Sequence, residues 1–309
     1  MSSKVSFISE NEYTFSEANF SSNENCEIYY PTTSDGLKLF IRCWRKATNP
    51  DKIVVIVHGF GAHGGTYKTV LVPDLLKENA VVYIPDLRGH GYSEGERGYV
   101  ERFEDFHLDL ISTIKLARLH HPGVPLYLLG ESMGTSIVIN YTMTSLAAYQ
   151  PDAVILLACV VAPSVTPRPL EVIRFLYFML LNQNRCAIPI TGREEQGVRN
   201  PEAIREMKED PLYIRKVSVK FLMKMVKYMR QAARLGIGLN KPVFIAQGGK
   251  DIAINPKLTK KFFGAIVAKE KEVHFFPQAF HSILNDPDAP LVRQRLLNWM
   301  KKLTNLVGA

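Results

Sequence analysis

Leu126-Tyr127-Leu128-Leu129-Gly130-Glu131-Ser132-Met133-Gly134-Thr135 is the stretch on which the reading of this chain turns. An apolar run of strand type meets a glycine, then a serine framed by a second glycine. From Met133 to Leu146 the pattern becomes helical. A change of period from strand to helix within so few residues predicts a tight turn. The flanking glycines leave room for close backbone approach, and the serine is presented at a helix N-terminus. Free N–H groups and the helix dipole there favour developing negative charge. The G-x-S-x-G spacing alone arises by chance; its place at a strand-to-helix junction marks it as a nucleophile elbow.

Outward from this turn the chain repeats one style of strand. Ile53–Val57, Val81–Ile84 and Ala153–Leu157 are short continuous apolar runs, and further strand patterns follow later at Val243–Ala246 and Val273–Phe276. Such runs are what a parallel sheet covered on both faces requires. Leu37–Trp44 instead alternates apolar and polar residues, as a half-buried antiparallel strand does. Helical patterns over Phe103–Leu119, Met133–Leu146, Leu258–Ile266 and Leu291–Leu306 lie between or after the strands. The alternation predicts an α/β fold with right-handed crossovers and a mostly parallel, doubly wound sheet.

One long interruption stands out. Between Pro163 and Pro242 the strand signals vanish and helical ones take over, over Leu170–Leu181, Pro201–Met207 and Val217–Leu235. The expected organisation is therefore a poorly ordered segment 1–25, an α/β core formed by 26–163 with 240–309, and a helical cap from 164 to 239. In the last cap helix Lys216, Lys220, Lys224, Lys227 and Arg234 fall along one side, opposite Leu222, Met225, Val226 and Met229.

Composition narrows the function classes. The 309 residues are 46% hydrophobic and 22% charged, as in ordinary globular proteins. A net charge of +8 could favour anionic surfaces, but no helix-turn-helix, zinc-finger or RNA-binding signature accompanies it, so no nucleic-acid partner is expected. The cysteines Cys26, Cys43, Cys159 and Cys186 have no metal-ligand spacing, and no phosphate-binding glycine loop opens the sheet. Neither a metal nor an organic cofactor is expected. Residues 1–25 lack a basic leader with an apolar core, and no apolar run nears the roughly 20 residues of a bilayer span. The expected location is cytoplasmic, with any membrane contact peripheral. Nothing in the pattern sets an oligomeric state.

A serine hydroxyl needs a base, and the base a group that orients it. After a serine on such an elbow the expected chain order is an acid, then a histidine. Six of the eight histidines precede Ser132, and His274 lies inside a strand pattern, which leaves His281 as general base. Asp251, just past the strand Val243–Ala246, is the expected orienting acid; Asp286 is its rival, read as helping to start the last helix. Oxyanion donors are expected at the backbone N–H groups of Met133 and of Phe60, within His58-Gly59-Phe60-Gly61. His58 reads as a structural histidine that bonds loop backbone.

With these residues in view, the chain resembles the monoacylglycerol lipase and lysophospholipase group of α/β-hydrolases, including plant-type monoglyceride lipases. The matching stretches are His58-Gly59-Phe60-Gly61 with Tyr67, and Asp86-Leu87-Arg88-Gly89-His90-Gly91-Tyr92-Ser93-Glu94-Gly95 continuing to Val100. Gly130–Gly134, Gly249-Lys250-Asp251 and Phe280-His281 complete the match, over about residues 35–305. The resemblance implies Ser132, Asp251 and His281 as triad, Phe60 and Met133 as oxyanion donors, and a helical lid over an apolar acyl channel. Two departures are Thr135, where these lipases usually carry glycine, and Phe60, where the animal monoglyceride lipases carry a small residue. The stretch from Asp86 to Gly95 reads as a structural brace at the sheet edge.

The expected activity is hydrolysis of a single-chain lipid ester, a monoacylglycerol or a lysophospholipid, through an acyl-enzyme on Ser132. Peripheral membrane contact through the cap goes with it. A short-ester or thioester hydrolase, an acyltransferase on the same triad, and a non-catalytic ligand receptor are the alternatives. An epoxide hydrolase or dehalogenase would usually carry Asp in place of Ser132.

Overall fold

This computed structural model describes residues 26–46, 49–159, 161, 169–191 and 194–307. The expected disorder of 1–25 and the expected boundary at 163–164 lie outside the described residues.

A sheet of eight strands runs through the protein in the order β1 (Cys26–Tyr29), β2 (Phe40–Trp44), β4 (Ala80–Asp86), β3 (Lys52–Val57), β5 (Leu126–Glu131), β6 (Ala153–Leu157), β9 (Val243–Gly248) and β10 (Lys271–Phe276). The strands from β4 to β10 in that order are parallel, and β2 is antiparallel to both of its neighbours. The doubly wound α/β sheet expected from the strand pattern is thus present, with the α/β-hydrolase connectivity.

Why the inner parallel strands carry long apolar runs is visible in β3. Ile53, Val55 and Val57 enter one core cluster, while Val54 and Ile56 enter the other, and none of the five is exposed. The first cluster is closed by α3 (Phe106–His120) and α4 (Met133–Thr144). The second is closed by α1 (Tyr67–Val70), α2 (Val72–Lys77) and α10 (Ala289–Val307). Each such side chain contributes roughly 1.5–3 kcal/mol on leaving water.

Strand β2 departs from the half-buried expectation: all five of its residues are buried. The polar member of the alternation, Arg42, donates to Asp86 at 2.6 Å and lies over the Phe40 ring at 4.5 Å. An ion pair and an aromatic face let a charged residue occupy an enclosed position. Asp86 also accepts from the Gly64 and Tyr92 N–H groups, and Arg88 is held by Asp109 and Asp35. The segment read as a structural brace ties the edge of the sheet through these bonds.

Between β6 and β9 the described residues form α5 (Pro169–Leu181), a two-stranded ribbon of β7 (Ile188–Pro189) and β8 (Lys216–Val217), α6 (Glu194–Gly197), α7 (Pro201–Glu209) and α8 (Val219–Leu235). Helix α8 packs on α4, which is buried over its first ten residues, and the Asn140 side chain donates to the Tyr228 carbonyl at 3.2 Å. On the side of α8 read as basic, Lys220 and Lys224 both reach Glu101, and Lys216 belongs to β8 instead. Helix α5 has no buried residue; Leu170, Ile173, Leu176, Tyr177, Leu180 and Leu181 all stand exposed. A last core helix, α9 (Pro256–Ala265), starts from an Asn255 side chain that accepts from the Lys257 N–H. Among the described residues no helix is long and apolar enough to cross a membrane.

Candidate active site

Strand β5 ends at Glu131 and α4 begins at Met133, so Ser132 alone makes the turn. It does so at φ +52° and ψ −121°, a region that non-glycine residues rarely adopt and that costs about 1–3 kcal/mol. The turn is held by the Ser132 N–H, which donates to the Leu157 carbonyl of β6 at 2.9 Å. Glycine is required at 134, because a Cβ there would stand 2.1 Å from the Val57 carbonyl oxygen of β3. Thr135 is buried and its hydroxyl donates to the Ser132 carbonyl at 2.7 Å, adding a side-chain bond to the turn.

The loops after β9 and β10 converge on this turn. His281 Nε2 lies 2.8 Å from Ser132 Oγ, and His281 Nδ1 lies 2.8 Å from Asp251 Oδ2. With Asp251 ionised, Nδ1 donates to it and Nε2 is left to accept the serine proton. The aspartate is itself fixed: Gln247 donates to Oδ2 at 2.8 Å, and the Ala253 and Ile254 N–H groups donate to Oδ1 at 2.8 and 3.0 Å. Burial favours the uncharged imidazole, but the hydrogen bond and charge of Asp251, with the charge of Glu131, outweigh it. The pKa of His281 is therefore raised above its ordinary 6.5.

Asp286, the rival acid, faces elsewhere. It accepts from Arg199, from the Phe280 N–H at 3.1 Å and from the Asp288 N–H at 3.1 Å, bracing the loop that carries His281. The Ala289 N–H at the start of α10 donates to its carbonyl at 2.9 Å.

The loop after β3 passes directly beside the serine. A Cβ on Gly59 would lie 3.2 Å from Ser132 Cβ, so glycine lets the segment bearing the Phe60 N–H approach. The Met133 N–H belongs to the first turn of α4, where such groups have no intrahelical partner. The Phe60 ring stacks on Phe221 of α8, with centroids 5.1 Å apart. His58 is fully buried, with Nδ1 2.9 Å from the Gly59 carbonyl and Nε2 accepting the Leu87 N–H at 3.0 Å.

Ser132 and His281 open into a cavity of about 230 Å³ with an apolar wall of Phe60, Ile190, Val198 and Met207. Thr66, Glu131, Tyr213 and Asn285 make its polar wall. A larger cavity of about 590 Å³ lies alongside and shares Thr66, Met207, Tyr213 and Asn285 with it. Glu131 Oε2 accepts from the Tyr67 hydroxyl at 2.6 Å. Burial raises the pKa of the Glu131 carboxyl, and the Tyr67 bond and the charge of His281 only partly offset that rise. The sequence reading gave no role at the site to Glu131, Tyr67, Gln247 or Arg199. A carboxylate inside the elbow itself was the one available signal, at Glu131.

A model of the family described as serine aminopeptidase, S33, matches residues 48–288. Monoglyceride lipase of Rattus norvegicus is 28% identical over 292 residues, 92% of this chain and 93% of that protein. Monoacylglycerol lipase of Mycolicibacterium smegmatis is 24% identical over 86% of this chain and 93% of its own length. Among solved structures, monoacylglycerol lipase from Paleococcus ferrophilus gives a TM-score of 0.72 at 25% identity, covering 84% of this chain and 97% of that one. A soluble variant of monoglyceride lipase from Saccharomyces cerevisiae gives 0.76 at 20% identity, covering 93% and 97%.

Proposed function

The chain belongs to the serine aminopeptidase, S33, family of hydrolases, and on that premise we propose that it cleaves the carboxylic ester of a single-chain lipid through Ser132. The observation that carries the reading is the relay from Ser132 Oγ to His281 Nε2 and from His281 Nδ1 to Asp251, 2.8 Å at each step. A relay of this kind turns a weak hydroxyl nucleophile into an effective one.

Ser132 Oγ attacks the ester carbonyl carbon and its proton passes to His281 Nε2. Charge moves onto the carbonyl oxygen, which the Phe60 and Met133 N–H groups receive. The tetrahedral species collapses, the ester C–O bond breaks, and His281 gives its proton to the departing alcohol. Water then attacks the acyl-Ser132 ester with His281 again as base, releasing the acid and restoring the serine. Asp251 keeps His281 in the required tautomer throughout. The chemistry calls for no metal or organic cofactor.

The names of the relatives support a lipid ester as substrate, and so does the apolar wall beside Ser132. The segment from 164 to 239 would serve as the cap, contributing Ile190, Val198 and Met207 to that wall. Peripheral contact with a lipid surface is supported by the exposed apolar residues of α5. It is less supported by α8, two of whose lysines are engaged by Glu101.

A second reading, a short-chain carboxylesterase, draws on the 230 Å³ of the cavity at Ser132, small beside the roughly 300–1,000 Å³ of drug-sized ligand sites. One panel separates the two: monoacylglycerols, lysophosphatidylcholines and short nitrophenyl esters, hydrolysed by wild type and by Ser132→Ala. The lipid reading requires Ser132-dependent turnover that rises with chain length. Turnover confined to the short esters replaces it with the second reading, and full activity of Ser132→Ala removes both.

A further inference from the structure

The two N–H groups assigned to the oxyanion are held in different ways. That of Met133 is fixed by α4, which begins at this residue. That of Phe60 sits on a loop, and the segment inserted between β6 and β9 grips the far side of that loop. The Gly61 carbonyl accepts the Ile214 N–H at 2.9 Å, and a Cβ on Gly61 would stand 3.4 Å from Ile190 Cδ1. The Phe60 ring stacks on Phe221 of α8.

A further tie is His63, on the same loop. Its side chain is 7% exposed, and Nδ1 accepts the Gly65 N–H at 3.1 Å. The ring proton is therefore on Nε2, which donates to Asp210 Oδ2 at 2.8 Å. Asp210 stands just past the end of α7 and is preset for this bond, because its Oδ1 accepts the Leu212 N–H at 2.8 Å. Neither His63 nor Asp210 lines the cavity at Ser132.

Resting on the ester-hydrolase reading above, we infer that His63 and Asp210 are positioning residues for the reaction: their bond fixes the loop so that the Phe60 N–H stands where charge develops. One oxyanion donor is thereby set by the helix that follows the nucleophile, and the other by the inserted segment. Such a donor acts only if it is aimed before the charge appears, and removing one costs about 10²–10³ in kcat. Loosening one without removing it costs less, about tenfold.

The test measures kcat and KM on a nitrophenyl ester for the wild type, Asp210→Ala, His63→Phe and His63→Gln. It also measures the affinity of each for a trifluoromethyl ketone of the same chain. Ser132 Oγ adds to the ketone carbonyl carbon, the serine proton passes to His281, and the carbonyl oxygen becomes the anion that the Phe60 N–H receives. Asp210→Ala and His63→Phe each lower kcat about tenfold, leave KM within about twofold and weaken the ketone about tenfold. The double variant loses no more than either single one, since the two residues form one link. His63→Gln, whose amide N–H replaces the Nε2 donor, recovers most of the loss.

A kcat within about twofold of the wild type in His63→Phe, with only the thermal midpoint lowered, would make the bond merely structural and overturn the inference. So would a loss carried by KM with ketone affinity unchanged, or no recovery in His63→Gln. The His63 variants leave the inserted segment intact, so they decide the matter even where Asp210→Ala does not fold. Absence of Ser132-dependent hydrolysis of the nitrophenyl ester by the wild type is a different failure, since it removes the ester-hydrolase reading itself.

Discussion

Asp251 Oδ2 receives the Nδ1–H of His281 and, from the other side, the Gln247 side-chain amide, each at 2.8 Å. Asp286, only five positions beyond His281, instead holds the loop by accepting from Arg199 and the Phe280 N–H. The two aspartates therefore differ in what their removal does. Asp251→Asn should lower kcat by about 10³–10⁴-fold with little change in stability, because the amide favours the wrong tautomer. Asp286→Asn should keep kcat within about tenfold and lower the thermal midpoint. Steady-state kinetics and thermal melts on both variants check the contrast, and a larger loss of kcat in Asp286→Asn would reverse the assignment.

The pKa of His281 is raised, and only its neutral form can accept the serine proton. As pH falls through that raised pKa the base becomes protonated and activity is lost. The acid limb of kcat/KM for the wild type should thus lie above the ordinary 6.5. Asp251→Asn removes the main stabiliser of the imidazolium, so its residual activity should persist to lower pH. A pH profile of both proteins on an uncharged ester decides it; an acid limb that does not move in the variant contradicts the role given to Asp251.

Arg42 and Asp86 form an enclosed pair, with side chains 5% and 0% exposed. Removing one partner leaves the other charge buried without compensation, at a cost of about 3–5 kcal/mol. Asp86→Ala should show that loss in its urea unfolding midpoint, compounded by the stranded Gly64 and Tyr92 N–H groups. An unchanged midpoint would mean that the brace contributes nothing to stability.

Helix α5 exposes Ile173 and Leu180 at 63% and 81%. If it rests on lipid, the double variant Ile173→Glu, Leu180→Glu should float poorly with phosphatidylcholine vesicles and still hydrolyse a soluble short ester. Flotation equal to that of the wild type would remove lipid contact through α5.

The inner parallel strands were legible because they are sealed on both faces, so burial wrote itself as uninterrupted apolar runs such as Ile53–Val57. The elbow was legible because strand period, glycines and helix period meet within a few residues around Ser132. Strand β2 was read as half-exposed because nothing local shows that Arg42 meets Asp86, 44 positions away. Similarly, the basic look of α8 concealed the pairing of Lys220 and Lys224 with Glu101. The ribbon of β7 and β8 has two residues in each strand, too few to show any period. Glu131 was visible as a residue but not as a feature, since its partner Tyr67 lies 64 positions away in sequence.

The central claim is that Ser132, activated by His281, is the nucleophile. Treatment with a fluorophosphonate followed by peptide mass spectrometry tests it most directly. The account requires a single adduct on the peptide containing Ser132, formed much more slowly in Asp251→Asn and absent in Ser132→Ala together with ester turnover. No adduct on that peptide, or ester turnover that survives Ser132→Ala, would contradict it.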